Sequence, residues 1–280
     1  KMNFTLSALS ILHYSLNTPF ISPSSYQIKS TLSFYQLRMR NCITNFVKDY
    51  SKSNIYISYS HFSKFLKPSV SIISDYFRQI ATKTNLGYSF YNDIELRIVY
   101  CTFQNCYHTN DDKKYSNGGA IEYHKNDNDN NINDNRKVTL YSTTFENCST
   151  PEGNGGALFI CNALGETGYD STHGLIKLFN SSYCCYSKCS SCTKTDNTEK
   201  DKTGYGPVMF VFAKEIELYY SSSVNCPSEG KASYGAQYDL KSDSIRSRFM
   251  NASSSKSLYC TAMEYRQASK GYFTFQTFVN

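Results

Sequence analysis

A repeat of about forty residues constrains this chain more than any other feature, because self-similarity at a fixed period dictates a stacked architecture. Residues 99–106 read VYCTFQNC and residues 141–148 read YSTTFENC, so that Phe103 and Phe145, like Cys106 and Cys148, stand 42 apart. The stretch NSSYCCYSKC ends at Cys189, 41 residues later, and YYSSSVNC ends at Cys226, a further 37 on. Upstream, ISYSHFSKF places Phe62 41 residues before Phe103 as a degenerate copy.

A second element alternates with the first. Asn117-Gly118-Gly119-Ala120-Ile121 is matched by Asn154-Gly155-Gly156-Ala157-Leu158, with weaker echoes in Tyr205-Gly-Pro-Val-Met-Phe210 and Tyr234-Gly-Ala-Gln-Tyr238. Each FxNC-like element follows a β-rich run: residues 94–100, 136–141, 174–179 and 214–220. These apolar runs are four to seven residues long, often alternating, and bounded by Ser, Asn, Gly and Asp. That is strand length and strand punctuation rather than helix.

One such unit cannot bury its inward face alone, but stacking equivalent strands at about 4.8 Å per rung does so. The expected fold is all-β, a right-handed parallel β-helix. A coil of roughly 20 residues with three short strands would fit twice into each repeat. Phe103, Cys106, Phe145 and Cys148 are expected to stack inward. Asn105 and Asn147 would ladder their amides or satisfy turn backbone. Gly118 and Gly119, like Gly155 and Gly156, would permit a left-handed corner or a close backbone approach before inward Ala120-Ile121 and Ala157-Leu158. The organisation expected is one continuous domain. Residues 1–50 form a divergent N-terminal coil or cap, 51–240 carry the repeats and 241–280 close the stack. Residues 125–136, KNDNDNNINDNR, and 193–205 read as solvated loops between rungs.

FQNC at 103–106 with GGAI at 118–121, and FENC at 145–148 with GGAL at 155–158, resemble the paired FxxN and GGA[ILV] repeats of polymorphic outer-membrane proteins. They are closer still to Cys-containing relatives among surface proteins of parasitic protists. Here Asn stands one place earlier than in the bacterial form, and the later GGA copies read GPV and GAQ. The resemblance spans about residues 55–240. It implies a right-handed parallel β-helix of the pectin-lyase-like kind, secreted or displayed on a cell surface, with adhesive roles and no catalytic residues to carry over. It also implies that a longer, membrane-anchored parent protein is one arrangement to expect, and a chain beginning with Lys1 is compatible with a fragment.

Composition narrows the function classes. The net charge is +6, yet residues 1–100 hold 11 Lys/Arg against 4 Asp/Glu, whereas residues 101–280 hold 18 against 19. The excess is therefore N-terminal and interleaved with Ser, Tyr and Phe, which reads as a solvated basic face. It forms no nucleic-acid module, because neither zinc-finger spacing nor an RNP-like aromatic signature is present. Eleven cysteines are too dilute for a disulfide scaffold. Cys184, Cys185, Cys189 and Cys192 lack the second pair a zinc site needs. No metal or cofactor is expected, and no window approaches a transmembrane helix. The run from Phe4 to Leu12 superficially resembles a signal h-region without a clear cleavage site. Asn3, Asn147, Asn180 and Asn251 match the N-glycosylation acceptor pattern.

Two functional readings follow. The first is a non-catalytic adhesion or recognition scaffold whose ladders of Tyr, Asn and Ser contact a host-cell or matrix protein or a carbohydrate. The alternative is a polysaccharide-active lyase or hydrolase, which needs two carboxyls at a set separation. Asp111-Asp112 and His173-Gly174 resemble fragments of a polygalacturonase site, but the Asn-Thr-Asp and Arg-Ile-Lys partners are absent, and Asp111-Asp112 runs directly into Lys113-Lys114. The scaffold is the expected function, and the motif residues are expected to serve structure rather than contact.

Overall fold

The computed structural model describes residues 2–22, 30–49, 53–73, 95–108, 117–124, 136–150, 153–161, 176–191, 206–226, 238–242, 244–253, 263–266, 270–274 and 276–279. These residues are all β or irregular, with no helix among them, and every strand pairing is parallel.

The chain visits three ladders in the same order on each pass. The first ladder joins Met2–Ser7, Ser30–Tyr35, Ser53–Ser58, Glu95–Val99, Lys137–Tyr141 and Ile176–Ser182. It continues through the C-terminal half of Met209–Tyr219, Ser244–Arg248 and Lys270–Thr274. The second ladder follows two to three residues later on each pass and includes Arg38–Cys42, His61–Phe65, Thr102–Gln104, Thr144–Glu146, Cys185–Ser187 and Ser222–Val224. The third includes Val47–Asp49, Val70–Ile73, Ile121–His124, Leu158–Cys161, the N-terminal half of Met209–Tyr219 and Tyr238–Lys241. The long strand Met209–Tyr219 belongs to both the first and third ladders and joins them into one 15-stranded sheet.

The forty-residue unit holds one pass through the ladders, not two. Ser30 pairs with Ser53, so the shortest pass takes 23 residues. Two passes of that size do not fit in the 41 residues that separate Val138 from its partner Phe179. Parallel strands need a long return connection, and three strands with their corners already consume the shortest spacing. The surplus in each longer repeat falls between strands. Residues 125–135 and 192–205, which include most of the two expected loops, lie outside the described residues.

In-register pairing turns the sequence repeat into columns of like side chains. Phe62 pairs with Phe103, Phe103 with Phe145, and Phe145 with Tyr186. All four are fully buried, with ring centroids 5.2, 5.0 and 5.1 Å apart and planes within 14° of parallel. Alternation supplies the rest of the core: Ile55, Leu96, Val138, Phe179, Ile216 and Ile245 form one column of the first ladder, all at most 1% exposed. The strand period of two sends their neighbours outward.

The Gly-Gly corners do two separate jobs. Gly118 and Gly155 adopt φ of +66° and +68°, the left-handed region that favours glycine. Gly119 has an ordinary φ, but a Cβ there would lie 2.3 Å from the Gly156 carbonyl oxygen and 2.6 Å from the Ser149 nitrogen. The first glycine of each pair is needed for conformation, the second for contact between rungs.

Removing Phe103 from the middle of the internal column leaves a ring-sized void. Phe103→Ala is expected to cost about 3–5 kcal/mol and Gly119→Ala to destabilise comparably, both seen as lower urea midpoints. A Phe103→Ala midpoint equal to that of the parent chain would contradict the column.

Candidate functional site: an exposed aromatic corner

Between the first and second ladders the chain turns through a residue with positive φ on every pass. These are Ala8, Gln36, Tyr59, Tyr100, Ser142, Tyr183, Tyr220 and Phe249, with φ between 45° and 56°. Each turn is held the same way. The left-handed residue donates its N–H to the next rung, as Tyr59 does to the Val99 carbonyl at 3.0 Å and Tyr183 to that of Tyr219 at 2.9 Å. In five of the eight turns a small residue follows and folds back on the strand just left: Ser60 Oγ donates to the Ser58 carbonyl at 2.8 Å, Thr143 Oγ1 to that of Tyr141 at 3.0 Å and Ser221 Oγ to that of Tyr219 at 3.1 Å. The thiols of Cys101 and Cys184 occupy the same place, 3.3 and 3.4 Å from the carbonyls of Val99 and Ser182.

The side chains of these corners form a continuous exposed stripe. Ring centroids of Tyr35, Tyr59, Tyr100, Tyr141, Tyr183, Tyr220 and Phe249 follow one another at 4.6 to 5.6 Å, one per rung. The Arg248 guanidinium closes the row, 4.9 Å above the Phe249 ring. Ser142 leaves a gap at the left-handed position, and Tyr141, one residue earlier, fills it with its ring nearly perpendicular to that of Tyr100. Tyr59 and Tyr183 remain 54% and 51% exposed, so the stripe is a surface and not an outer core. Crowding of phenols is visible in their chemistry: Tyr100 beside Tyr141 pushes the Tyr141 phenol above its ordinary range.

Ring orientation decides what such a surface offers. Tyr59–Tyr100, Tyr183–Tyr220 and Tyr220–Phe249 are stacked, at 27°, 4° and 21°, so those faces are covered by the neighbouring rung, whereas Tyr35–Tyr59, Tyr100–Tyr141 and Tyr141–Tyr183 meet edge to face, at 66°, 88° and 64°. The stripe can donate and accept hydrogen bonds through its phenols and bury apolar ring surface.

The sequence motifs sit elsewhere. Phe103, Cys106, Ala120, Ile121, Phe145, Cys148, Ala157 and Leu158 are completely buried, and Gly118, Gly119, Gly155 and Gly156 form the third corner. Asn105 and Asn147 occupy the corner that follows the second ladder, with φ of 52° and 50°, and Asn147 Nδ2 donates to Asn105 Oδ1 at 2.6 Å and to the Tyr107 hydroxyl at 2.9 Å. Asn41, Lys64, Lys188 and Asn225 hold the equivalent positions, so this corner is built mainly on Asn, which tolerates left-handed backbone. Asp111, Asp112, His173 and Gly174 lie outside the described residues.

Eight of the described cysteines, Cys42, Cys101, Cys106, Cys148, Cys184, Cys185, Cys189 and Cys226, are free thiols, and among these eight only Cys185 is not buried. Cys106, Cys148, Cys189 and Cys226 form a column, each thiol 3.6 to 3.9 Å from a carbonyl of the preceding rung, those of Phe62, Phe103, Phe145 and Tyr186. Burial holds the Cys148 and Cys189 thiols well above their usual range. Among the described residues no group of three or more His, Cys, Asp or Glu is placed to hold a metal ion. Comparison with protein-family models, with curated proteins and with solved structures gave no match.

Burial also pushes the Cys42 and Cys101 thiols from 9.0 up to about 11. A group that holds its proton more tightly when folded contributes fully below its unfolded pKa and loses that contribution as the pH climbs through the folded one. Thermal stability is therefore expected to fall between pH 9 and pH 11. At neutral pH a maleimide should modify Cys185 first among these eight cysteines, with the buried seven reacting only after denaturation, as peptide mass spectrometry would show.

Proposed function

We propose that the chain is a right-handed parallel β-helix serving as a non-catalytic recognition scaffold, secreted or displayed at a cell surface, with the aromatic corner as its contact surface. The handedness accords with the strong bias of parallel crossovers. A place within a longer, membrane-anchored protein is part of the same reading, and no helix of the described residues is long and apolar enough to cross a membrane.

One observation carries the functional reading. Apart from the glycine corner, the chain has two corners with left-handed backbone, and it fills one largely with Asn and the other largely with Tyr and Phe. A non-glycine residue in that region costs about 1–2 kcal/mol, and Asn tolerates it better than Tyr. A stacked ring pair returns about 0.5–1.5 kcal/mol. Stacking thus does no more than offset the strain, and folding alone gives little reason to keep rings where Asn would serve. An exposed row of amphipathic rings is instead the composition of contact surfaces.

The partner best matched is a protein of a host cell or matrix. Carbohydrate recognition through sugar-on-ring stacking needs open ring faces, and three of the six ring contacts here are face to face, which takes those faces out of such stacking. Phenols and apolar ring surface in a regular row suit a polypeptide surface, which supplies both apolar side chains and backbone acceptors.

The double variant Tyr183→Asn/Tyr220→Asn separates binding from folding. Its melting temperature is expected to stay within about 4 °C of the parent, because relief of strain offsets lost stacking. Binding to the members of an immobilised panel of matrix proteins and polysaccharides that capture the parent chain is expected to weaken at least about tenfold. Unchanged binding would remove the corner from the contact. Turnover of a panel polysaccharide, abolished by Asp111→Ala or Asp112→Ala, would replace the scaffold reading with the enzymatic one.

A further inference from the structure

The basic excess of the first hundred residues is not spread evenly over the stack. Among described residues 2–73 there are five Lys or Arg, and the single acidic residue is Asp49, at the end of a third-ladder strand. Four of the five cations gather on the second ladder and the corner after it. Arg38 and Arg40 are two apart on the strand Arg38–Cys42, so both point outward, and both are exposed. His61 and Ser63 pair with them on the next rung, and exposed Lys64 follows at the left-handed corner, with Lys67 beyond it. The crowding is real: burial, Arg38 and Arg40 together hold the His61 imidazole below its ordinary range.

Leucines stand in the same patch. Ser10 and Ile11 pair with Arg38 and Met39, which puts Leu12 beside Arg40 on the preceding rung, and Leu12 is 73% exposed. On the opposite side Leu66, 45% exposed, lies between Lys64 and Lys67 and donates its N–H to the Cys42 carbonyl at 3.0 Å. Tyr35 and Tyr59, at the N-terminal end of the aromatic stripe, close the third side of the patch through the corners that lead into Arg38 and His61.

We propose that this N-terminal face docks the protein peripherally onto a lipid bilayer carrying anionic headgroups. The guanidinium and ammonium groups answer headgroup charge, and Leu12 and Leu66 enter the boundary between headgroups and acyl chains. Tyr35 and Tyr59 carry the amphipathic rings that favour that depth. A soluble polyanion would use the cations alone and leave both leucines in water. A single-stranded nucleic acid would further need open aromatic faces on which to stack its bases. The inference is independent of the recognition surface proposed above, which it leaves free along the rest of the aromatic stripe.

Cosedimentation with vesicles tests it. The chain is expected to pellet with phosphatidylcholine vesicles containing phosphatidylserine and to stay in solution with phosphatidylcholine alone. Arg38→Ser/Arg40→Ser should lower the partition coefficient about 30-fold, the effect of removing two surface cations. Leu12→Ser/Leu66→Ser should still bind in low salt but release at a salt concentration the parent withstands. Far-UV circular dichroism of each variant is expected to match the parent. Failure of the parent chain to bind the anionic vesicles would overturn the proposal, as would unchanged binding by the arginine variant. Dextran sulfate or polyuridylic acid binding more tightly than the vesicles would overturn it in favour of a soluble polyanion.

Discussion

Everything in this molecule depends on parallel hydrogen bonding in register between one pass of the chain and the next. A slip of one residue would turn every inward side chain outward, so the register must be held strongly over many rungs. The internal ring column holds it. Phe62, Phe103, Phe145 and Tyr186 stand directly over one another, with near-parallel rings about 5 Å apart. No other alignment of these strands would bury four rings in one line. The backbone ladders supply the spacing, and the rings select which residues share it.

The corners show how the same backbone requirement can be met for different ends. Left-handed backbone recurs at the corner before and the corner after the second ladder, and before the third ladder it appears at Gly118, Gly155 and Gly206. After the second ladder Asn meets the requirement, and Asn147 also ties its rung to the one before through Asn105. Before the third ladder Gly118 and Gly155 meet it, while Gly119 and Gly156 answer a different constraint, the close approach of the backbones of adjacent rungs. Between the first and second ladders neither solution is used. Aromatic rings occupy most of the strained positions and remain largely exposed, and this departure from the least costly residue is the ground on which that edge of the stack is proposed as a contact surface.

Much of the architecture was legible before any coordinates. Phe103 and Phe145 were expected to meet and do, since a 42-residue offset between identical motifs leaves few other pairings. The decay of the motif from Phe to Tyr186 and Ser223 along the same column was harder to read, because one column position tolerates any side chain that fills the interior. The number of passes per repeat was misjudged. Strand lengths alone suggested a 20-residue coil, but the corners add enough residues that 23 is the smallest spacing. The aromatic corner went unnoticed, although its signal was present as Tyr followed by Ser or Cys at 59–60, 100–101, 183–184 and 220–221. Those tyrosines read as ordinary strand residues, since nothing local marks a residue as left-handed when it is neither Gly nor Asn.

The amino-acid sequence by itself determined the period, the inward columns and the all-β class. Each of these follows from which residues recur and from the length of apolar runs. Only the tertiary structure decided what lies on the outside. Tyr35 and Phe249 are 214 residues apart, and they belong to one stripe because every intervening pass returns to the same corner. Arg40, Lys64 and Leu12 likewise become neighbours through register and not through proximity in the chain. Burial repeats a chemical type that can be read along the sequence, whereas a surface is assembled across rungs, from residues whose only shared property is their place in the turn.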